Sequence, residues 1–136
     1  MITDTIHAHM RDIQSIKIKS LISKATTIEP TDTLAHVISK ITKNNSYDVF
    51  YLKDKSVLST NIRTLLNAKN IYNMKVESFL YPIHHVTQND SVQKVANIIT
   101  HYRIREVPVV DKNRIIGVVT AKQIIKLLSS KDNKWI

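Results

Sequence analysis

A repeat within the chain constrains its fold more than any other feature of the sequence. The segment that begins at Lys17, KIKSLISKATTIEPTDTLAHVISKIT, aligns without a gap with the segment that begins at Lys75, KVESFLYPIHHVTQNDSVQKVANIIT, at an offset of 75 − 17 = 58 residues. Most apolar positions fall on apolar positions, and Asp32 falls on Asp90. Two similar segments of this length predict two copies of one supersecondary unit that bury a core between them.

Each copy contains the same succession of local patterns. A brief extended segment is followed by short polar side chains of the kind that cap helices, with Asp32 or Thr31 in the first copy and Asp90 or Asn89 in the second as candidates. A helix with apolar residues at helical spacing comes next, then two β-rich strands around a polar turn, and then a closing helix. Each copy is therefore predicted to be a β-α-β-β-α unit.

These patterns divide the chain into four predicted regions. They are an N-terminal helical extension (residues 1–16), a divergent first repeat (17–70), a well-matched second repeat (75–130) and a C-terminal tail (131–136). The extension is predicted to be helical because Ile6, Met10 and Ile13 follow the spacing of an amphipathic helix. Such a helix would cover an edge of the fold or contact a partner.

Several classes of protein are excluded by what the sequence lacks. It contains no cysteine, so disulfides, a thiolate nucleophile and a thiolate metal site are impossible. The single glycine, Gly117, cannot build a glycine-rich phosphate loop. No run approaches the ~18 apolar residues of a membrane span, and the first residues lack the pattern of a signal peptide. We therefore expect a cytoplasmic protein that is not embedded in a membrane.

The charge of the chain favours anionic partners. The formal net charge is +9 and the isoelectric point is about 9.8, which suits nucleotides, nucleic acid or acidic protein surfaces. The basic residues are spread along the chain and form no dense block. A solvated lysine-rich surface is the simpler interpretation of this distribution.

The second repeat contains the most specific motif of the chain. The stretch IREVPVVDKNRIIGVVTAKQIIKLL, which begins at Ile104, is similar to the pattern of CBS domains: an apolar strand with proline, a polar turn, a second strand that ends in glycine, two apolar residues and threonine, and a helix. The first repeat departs from this pattern, with Phe50 where proline is usual and Ser59 where glycine is usual. The resemblance covers Lys17 to Ser130 and implies an α+β fold of two tandem β-α-β-β-α repeats packed about a pseudo-twofold axis.

The resemblance also implies a function and a set of site residues. CBS-domain pairs are regulatory modules that commonly bind AMP, ADP, ATP, S-adenosylmethionine or related adenosine derivatives in the clefts between repeats. Carried over to the second repeat, the implied ligand-binding residues are His85, Thr87, Ile104, Arg105, Val107, Pro108, Val109, Thr120, Lys122 and Gln123. A second site in the first repeat would use Thr27, Val49, Phe50, Thr60 and Arg63.

Gln123 stands where the family has an aspartate that takes the ribose hydroxyls. A carboxylate accepts two hydroxyl hydrogen bonds through charged oxygens, whereas glutamine has one acceptor oxygen and a donor group. We therefore expect a weaker nucleoside site in the second repeat and a degenerate one in the first. In the first repeat the place of Gln123 is taken by Arg63 or Thr64, depending on where a gap falls. Arg63 at that place, and Lys122 near the start of a helix in the second repeat, would contact a phosphate.

Alternatives from other classes of protein remain open at this point. One is a structural or protein-interaction module whose nucleotide site is vestigial, and another is a basic nucleic-acid-binding protein. We expect neither a metal site nor enzymatic activity, since no cluster of ligands and no nucleophile with a base is apparent. We also expect a homodimer that passes its signal to an unidentified effector protein.

Overall fold

The computed structural model describes residues 16–68 and 73–132. The predicted N-terminal helix therefore lies outside the described residues, except for its last residue. The elements are a 3₁₀ helix (Ile18–Leu21), α1 (Leu34–Asn44), β1 (Asp48–Lys53), β2 (Ser56–Asn61), α2 (Ile62–Leu66), a second 3₁₀ helix (Val76–Phe79), β3 (Tyr81–Ile83), α3 (Val92–Tyr102), β4 (Glu106–Asp111), β5 (Arg114–Thr120) and α4 (Ala121–Asp132). Helix α4 extends two residues into the predicted C-terminal tail.

The two long helices α1 and α3 begin one residue later than the sequence pattern predicts. Thr33 and Ser91 are the capping residues, and each side-chain oxygen accepts a hydrogen bond of 3.2 Å from the backbone N–H three residues ahead. Asp32 and Asp90 instead accept backbone N–H groups upstream, from Glu29 and Thr87 respectively. The prediction of Asp32 and Asp90 as caps was wrong because these carboxylates close the turn before the helix.

Each repeat builds a small sheet around one antiparallel hairpin, β1 with β2 and β4 with β5. The extended segment before each long helix adds a parallel pairing to the first strand of the hairpin. In the first repeat, the Phe50 N–H donates to the Thr26 carbonyl at 2.9 Å. Pro108, which occupies the place of Phe50 in the second repeat, has no N–H, so Val110 donates to the Val86 carbonyl at 2.8 Å.

The segment at the start of each sequence repeat packs on the other repeat. Ile18 is fully buried in the core that the second repeat forms around Val92 and Val95. Val76, its equivalent at an offset of 58 (76 − 18), is fully buried in the core of the first repeat with Val37. Neither core is complete without a segment from the other repeat, so the two repeats stabilise each other by burying apolar surface.

The same exchange extends the two sheets. Strand β3, from the second repeat, pairs with β2 of the first. In the second sheet, Ser23 and Val118 each donate a backbone hydrogen bond of 2.9 Å to the other's carbonyl. Gly117 is required beside this pairing, because a Cβ at this position would overlap the side chain of Ile22 and the carbonyl of Ser23.

A third apolar cluster joins the two sheets. It is formed by Phe50 and Val57 from one sheet and Val118 from the other, all buried. The cluster holds equivalent hairpins together and places the starts of β1 and β4 next to each other. The predicted α+β fold, with two repeats related by a pseudo-twofold axis, is confirmed by this arrangement.

Candidate functional site

Two clefts lie between the repeats, related by the internal pseudosymmetry. We call them the Asn61 cleft and the Thr120 cleft, because these residues end β2 and β5 and begin helices α2 and α4. The Asn61 cleft is the more enclosed, has a volume of about 310 Å³ and is lined by Tyr47, Asp48, Ser59, Asn61, Arg63, Tyr81, Ile83, Tyr102, Arg103, Ile104, Arg105 and Glu106. The Thr120 cleft has a volume of about 510 Å³, is more open, and is lined by Asn45, Ser46, Tyr47, Arg105, Glu106, Thr120, Ala121 and Lys122.

The wall between the two clefts is made by equivalent residues that meet at the pseudo-twofold axis. Tyr47 and Arg105 are 58 positions apart (105 − 47), and the Arg105 guanidinium carbon lies 3.7 Å from the centre of the Tyr47 ring. Asp48 and Glu106 follow them directly, and the Asp48 N–H donates to Glu106 Oε2 at 3.0 Å. The duplication has therefore placed a cation–aromatic pair and a carboxyl pair at the junction of the repeats.

The Asp48 carboxyl, next to Glu106, binds a proton more tightly than an isolated carboxyl group does. Burial raises the pKa of Asp48 to about 8, and the hydrogen bond and negative charge of Glu106 contribute to the increase, while Arg105 opposes it. Both residues are partly buried, and two carboxyl groups in contact at such a position ionise together only at an electrostatic cost. At neutral pH the pair therefore holds a proton.

The Asn61 cleft combines aromatic rings with cations. The Asn61 side chain caps α2 by accepting the Thr64 N–H at 3.0 Å, and its Nδ2 donates to the Tyr81 hydroxyl at 2.9 Å. The cleft is also lined by three tyrosines and three arginines, which are Tyr47, Tyr81, Tyr102, Arg63, Arg103 and Arg105. Such a lining suits a flat, anionic molecule that stacks on an aromatic ring.

The Thr120 cleft differs because its glutamine is already engaged. Thr120 and Gln123 form a capping box: Gln123 Oε1 accepts the Thr120 N–H at 2.8 Å, and the Gln123 N–H donates to Thr120 Oγ1 at 3.1 Å. The remaining Gln123 Nε2 group donates to the carbonyl of Leu21 in the exchanged segment. Gln123 therefore fastens the first repeat to the second, and both acceptor positions of its Oε1 are taken by the N–H and the hydroxyl of Thr120.

A smaller cavity of about 270 Å³ adjoins the Asn61 cleft and shares Tyr81, Ile83, Tyr102 and Ile104 with it. His84 lines this cavity and stacks on Tyr102, with 3.9 Å between ring centres and 25° between ring planes. The prediction singled out the next residue, His85, which does not line either cleft. Along an extended segment neighbouring side chains point in opposite directions, so a shift of one residue changes which histidine is exposed to the cavity.

No curated protein sequence matches the chain. A family model for the CBS domain matches residues 76–130. The second repeat is a CBS domain. The match covers the second 3₁₀ helix, the strands β3 to β5 and both helices of that repeat.

Solved structures extend this assignment to the arrangement of the whole chain. The CBS domain protein PAE2072 of Pyrobaculum aerophilum, solved with AMP, is 19% identical, with a TM-score of 0.72 over 85% of this chain and 99% of that chain. The CBS domain pair of protein MJ0100, solved with 5′-methylthioadenosine and S-adenosyl-L-methionine, is 22% identical, with a TM-score of 0.73 over 85% of this chain and 97% of that chain. The chain is thus built as a CBS-domain pair.

In this CBS-domain pair, the ten residues predicted for the second-repeat site do not form one site. Arg105 lines both clefts, Ile104 lines the Asn61 cleft, and Thr120 and Lys122 line the Thr120 cleft. Four others lie elsewhere: Thr87 is exposed in the turn that Asp90 closes, and Val107, Pro108 and Val109 have buried side chains.

The residues predicted for the first-repeat site are also separated. Arg63 lines the Asn61 cleft, whereas Thr27 and Phe50 line a different cavity of about 300 Å³. Val49 and Thr60 are fully buried, and they pair with each other on the hairpin face that covers the helices of the first repeat. Thr60 was assigned as the equivalent of Thr120 by sequence, but the residue that begins the helix is Asn61.

The error at Thr60 is one of register. Both closing helices begin directly after the last strand residue, so Asn61 corresponds to Thr120 at an offset of 120 − 61 = 59. At the same offset of 59, the residue equivalent to Gly117 is Leu58, and not Ser59 as predicted. The residue equivalent to Gln123 is Thr64. The best signals that the sequence offered for the Asn61 cleft were Asn61 itself, a strong helix-capping residue, and Asp48 beside Tyr47 at an offset of 58 from Glu106 and Arg105.

Two findings bear on the other classes considered from the sequence. Among residues 16–68 and 73–132, no group of three or more histidine, aspartate and glutamate side chains is placed to hold a metal ion. Within the same residues, no helix is long and apolar enough to cross a membrane.

Proposed function

We propose that this CBS-domain pair is a regulatory module that binds an adenosine-containing ligand in the Asn61 cleft. The observation that carries the proposal is the enclosed cavity of about 310 Å³ between the repeats, with tyrosines, arginines and an asparagine amide in its lining. A cavity of this volume is within the range of small-molecule sites, which begins at about 300 Å³.

The lining residues suit the parts of a nucleotide. Tyr47 and Tyr81 present aromatic faces or edges for a purine. The Asn61 amide uses one acceptor position for the Thr64 N–H and one N–H for the Tyr81 hydroxyl, so one acceptor position and one N–H remain for ribose hydroxyls. Arg63 and Arg103 are exposed at the cleft, where a guanidinium would bind a phosphate through two parallel hydrogen bonds. The related structures solved with AMP, and with 5′-methylthioadenosine and S-adenosyl-L-methionine, support adenosine as the common part of the ligand.

The proposed site differs from the one that the sequence favoured, which lies in the second repeat. Thr120 occupies both acceptor positions of Gln123 Oε1, and Gln123 Nε2 donates to Leu21, so Gln123 has no free acceptor for a ribose hydroxyl. The Asn61 cleft also contains more positive charge: it is lined by three arginines, whereas the Thr120 cleft is lined by one arginine, Arg105, and by Lys122. The proposed ligand therefore binds once per chain.

Regulation follows from the position of the cleft between repeats. A ligand there contacts Asn61 and Arg63 of one repeat and Ile104 and Arg105 of the other. It shifts the equilibrium between two arrangements of the repeats only if it binds one arrangement more tightly. We propose that a homodimer transmits this change in trans to a partner protein.

The experiment compares two capping variants that are matched in position. Asn61→Ala and Thr120→Ala each remove one helix cap, and each lies in one cleft. Titration calorimetry with AMP, ATP, S-adenosylmethionine and 5′-methylthioadenosine is expected to show one site per chain. Asn61→Ala should weaken binding by about tenfold, equivalent to 1.4 kcal/mol, and Thr120→Ala by less than about threefold. No binding of any of these compounds at millimolar concentration would contradict the proposal.

A further inference from the structure

The carboxyl pair at the pseudo-twofold axis faces both clefts. Glu106 lines the Asn61 cleft and the Thr120 cleft, and Asp48 lines the Asn61 cleft. In the part of the chain that the structure describes, the ion pairs join Lys40 to Asp32 and Lys94 to Asp90, and neither involves the carboxyl pair. Asp48 and Glu106 are thus held against each other without a cation in contact.

The surrounding charges determine how the pair responds to a ligand. Arg105 lies next to the pair but is stacked on Tyr47, and Arg63 and Arg103 line the same cavity. In a cavity of about 310 Å³, any bound charge lies within the ~10 Å over which salt screens charges at 0.1 M. An anion in the Asn61 cleft therefore repels the ionised form of the pair and favours the protonated form.

We propose that the Asp48–Glu106 pair is a proton-binding switch between the two repeats, and that an anionic ligand in the Asn61 cleft binds together with a proton. The first part concerns the protein without ligand. The second part rests on the proposed function. Above about pH 8, where Asp48 of the free protein is ionised, binding of the anion transfers a proton from solvent to the carboxyl pair. Ligand and pH therefore act on the same carboxyl pair between the repeats.

Other charged or titratable groups lie near the carboxyl pair, and their effects must be distinguished from those of the pair. The arginines stay charged at any pH of interest. Burial raises the pKa of Tyr81 above its usual range, with a hydrogen bond from Asn61 opposing the increase. His84 stacks on Tyr102 beside the cleft, and Lys122 lines the Thr120 cleft with Glu106. Both are present in wild type and in Asp48→Asn, so a difference between these proteins reports the pair.

The first measurement is the melting temperature of the unliganded protein between pH 5 and 9. The pKa of Asp48 is about 8 in the folded protein, above the ordinary value of 3.8, so the native state holds more protons than the unfolded state between these values. Stability therefore falls as pH rises toward about 8 and then levels off. Asp48→Asn is expected to remove this fall and to melt at least ~3 °C above wild type at pH 9. Identical profiles for the two proteins would overturn the switch.

The second measurement is the affinity for AMP and for 5′-methylthioadenosine at pH 7 and pH 9. The phosphate of AMP has its second pKa near ~6, so its charge is constant in this window, and 5′-methylthioadenosine has no phosphate. For wild type, the Kd of AMP is expected to rise about three- to tenfold from pH 7 to pH 9, and that of 5′-methylthioadenosine to stay constant. For Asp48→Asn, both should stay constant.

The outcomes separate this inference from the proposed function. If AMP binds wild type with the same Kd at both pH values, the inference is wrong and the proposed function stands. If no adenosine compound binds but the melting profiles differ as expected, the proton switch stands and the proposed function fails, together with the proton uptake assigned to ligand binding.

Discussion

The Asn61 cleft and the Thr120 cleft are built on equivalent backbone and differ in how each uses a side-chain amide. In the Thr120 cleft, the amide of Gln123 donates to the Leu21 carbonyl and fastens the exchanged segment. In the Asn61 cleft, Thr64 takes the place of Gln123, and the Asn61 amide donates to a tyrosine hydroxyl at the cavity wall. The Thr120 cleft thus contributes to the stability of the pair, and the Asn61 cleft is the one that we propose as the ligand site. The two repeats keep the same backbone, while single side chains give the two clefts different chemistry.

The largest expected effect is a loss of stability at the place where the first segment of one repeat packs on the sheet of the other. Gly117→Ala places a methyl group against Ile22 and the Ser23 carbonyl, which is backbone and cannot move aside cheaply. We expect a loss of about 3 kcal/mol or more in the free energy of unfolding, measured by urea denaturation. Leu58→Ala, at the equivalent place in the first sheet, should cost only about 1 kcal/mol because Leu58 is half-buried. Equal losses of stability in the two variants would show that the packing at Gly117 in the second sheet is no closer than the packing at Leu58 in the first.

The next effect concerns Gln123. Gln123→Glu retains the oxygen that accepts the Thr120 N–H but replaces the group that donates to Leu21 by an acceptor. We expect the free energy of unfolding to fall by about 1–2 kcal/mol at pH 7, with partial recovery below pH 5, where the acid form restores a donor. Thr64→Val, at the matching place in the first repeat, is the control and should change stability by less than ~0.5 kcal/mol. A neutral result for Gln123→Glu would mean that the contact with Leu21 contributes nothing.

A comparison of two exposed cations tests where a phosphate binds. Arg63 and Lys122 are the equivalent second residues of helices α2 and α4, and each lines one cleft. Arg63→Met should raise the Kd of AMP by about tenfold, because it removes a charge-assisted contact. Lys122→Met should leave it within about twofold. Calorimetry at low salt decides between them, and the reverse order of effects would place the ligand in the Thr120 cleft.

The smallest effect is expected where the repeats are alike. Partial burial tends to raise the pKa of Asp32 and Asp90, but a backbone N–H and a lysine near each carboxylate hold the pKa below its ordinary value of 3.8. Each carboxylate therefore stabilises the fold above the unfolded pKa, and this contribution is lost as pH falls through the folded pKa. Asp32→Asn and Asp90→Asn should each lower stability slightly and equally at pH 7, and each should flatten the loss between pH 5 and pH 3. Unequal acid profiles would show that the pseudosymmetry fails at these turns.

The fold was predictable because it depends on patterns that recur along the chain. The offset of 58 residues, the apolar spacing of α1 and α3, and the strand–turn–strand pattern each reflect burial, which sequence reports directly. The exchange of the segments around Ile18 and Val76 was not predictable. Their apolar residues suit either core, and only the geometry of the linkers decides which core they enter.

The site was predicted less well because it depends on single-residue register and on pairing across the axis. A shift of one residue moved the first-repeat helix cap from Thr60 to Asn61 and the ring at the cavity wall from His85 to His84. The carboxyl pair went unnoticed because Asp48 and Glu106 are each ordinary strand residues until the repeats bring them together. The departure at Gln123 was identified from the sequence, but its contact with Leu21 requires the fold.

The most direct test of the account is a crystal structure of the protein grown with AMP at a concentration well above its Kd. We expect AMP in the Asn61 cleft, with its phosphate near Arg63, and a Thr120 cleft in which Gln123 still donates to Leu21. AMP bound at Thr120, with Gln123 turned away from Leu21, would contradict the account.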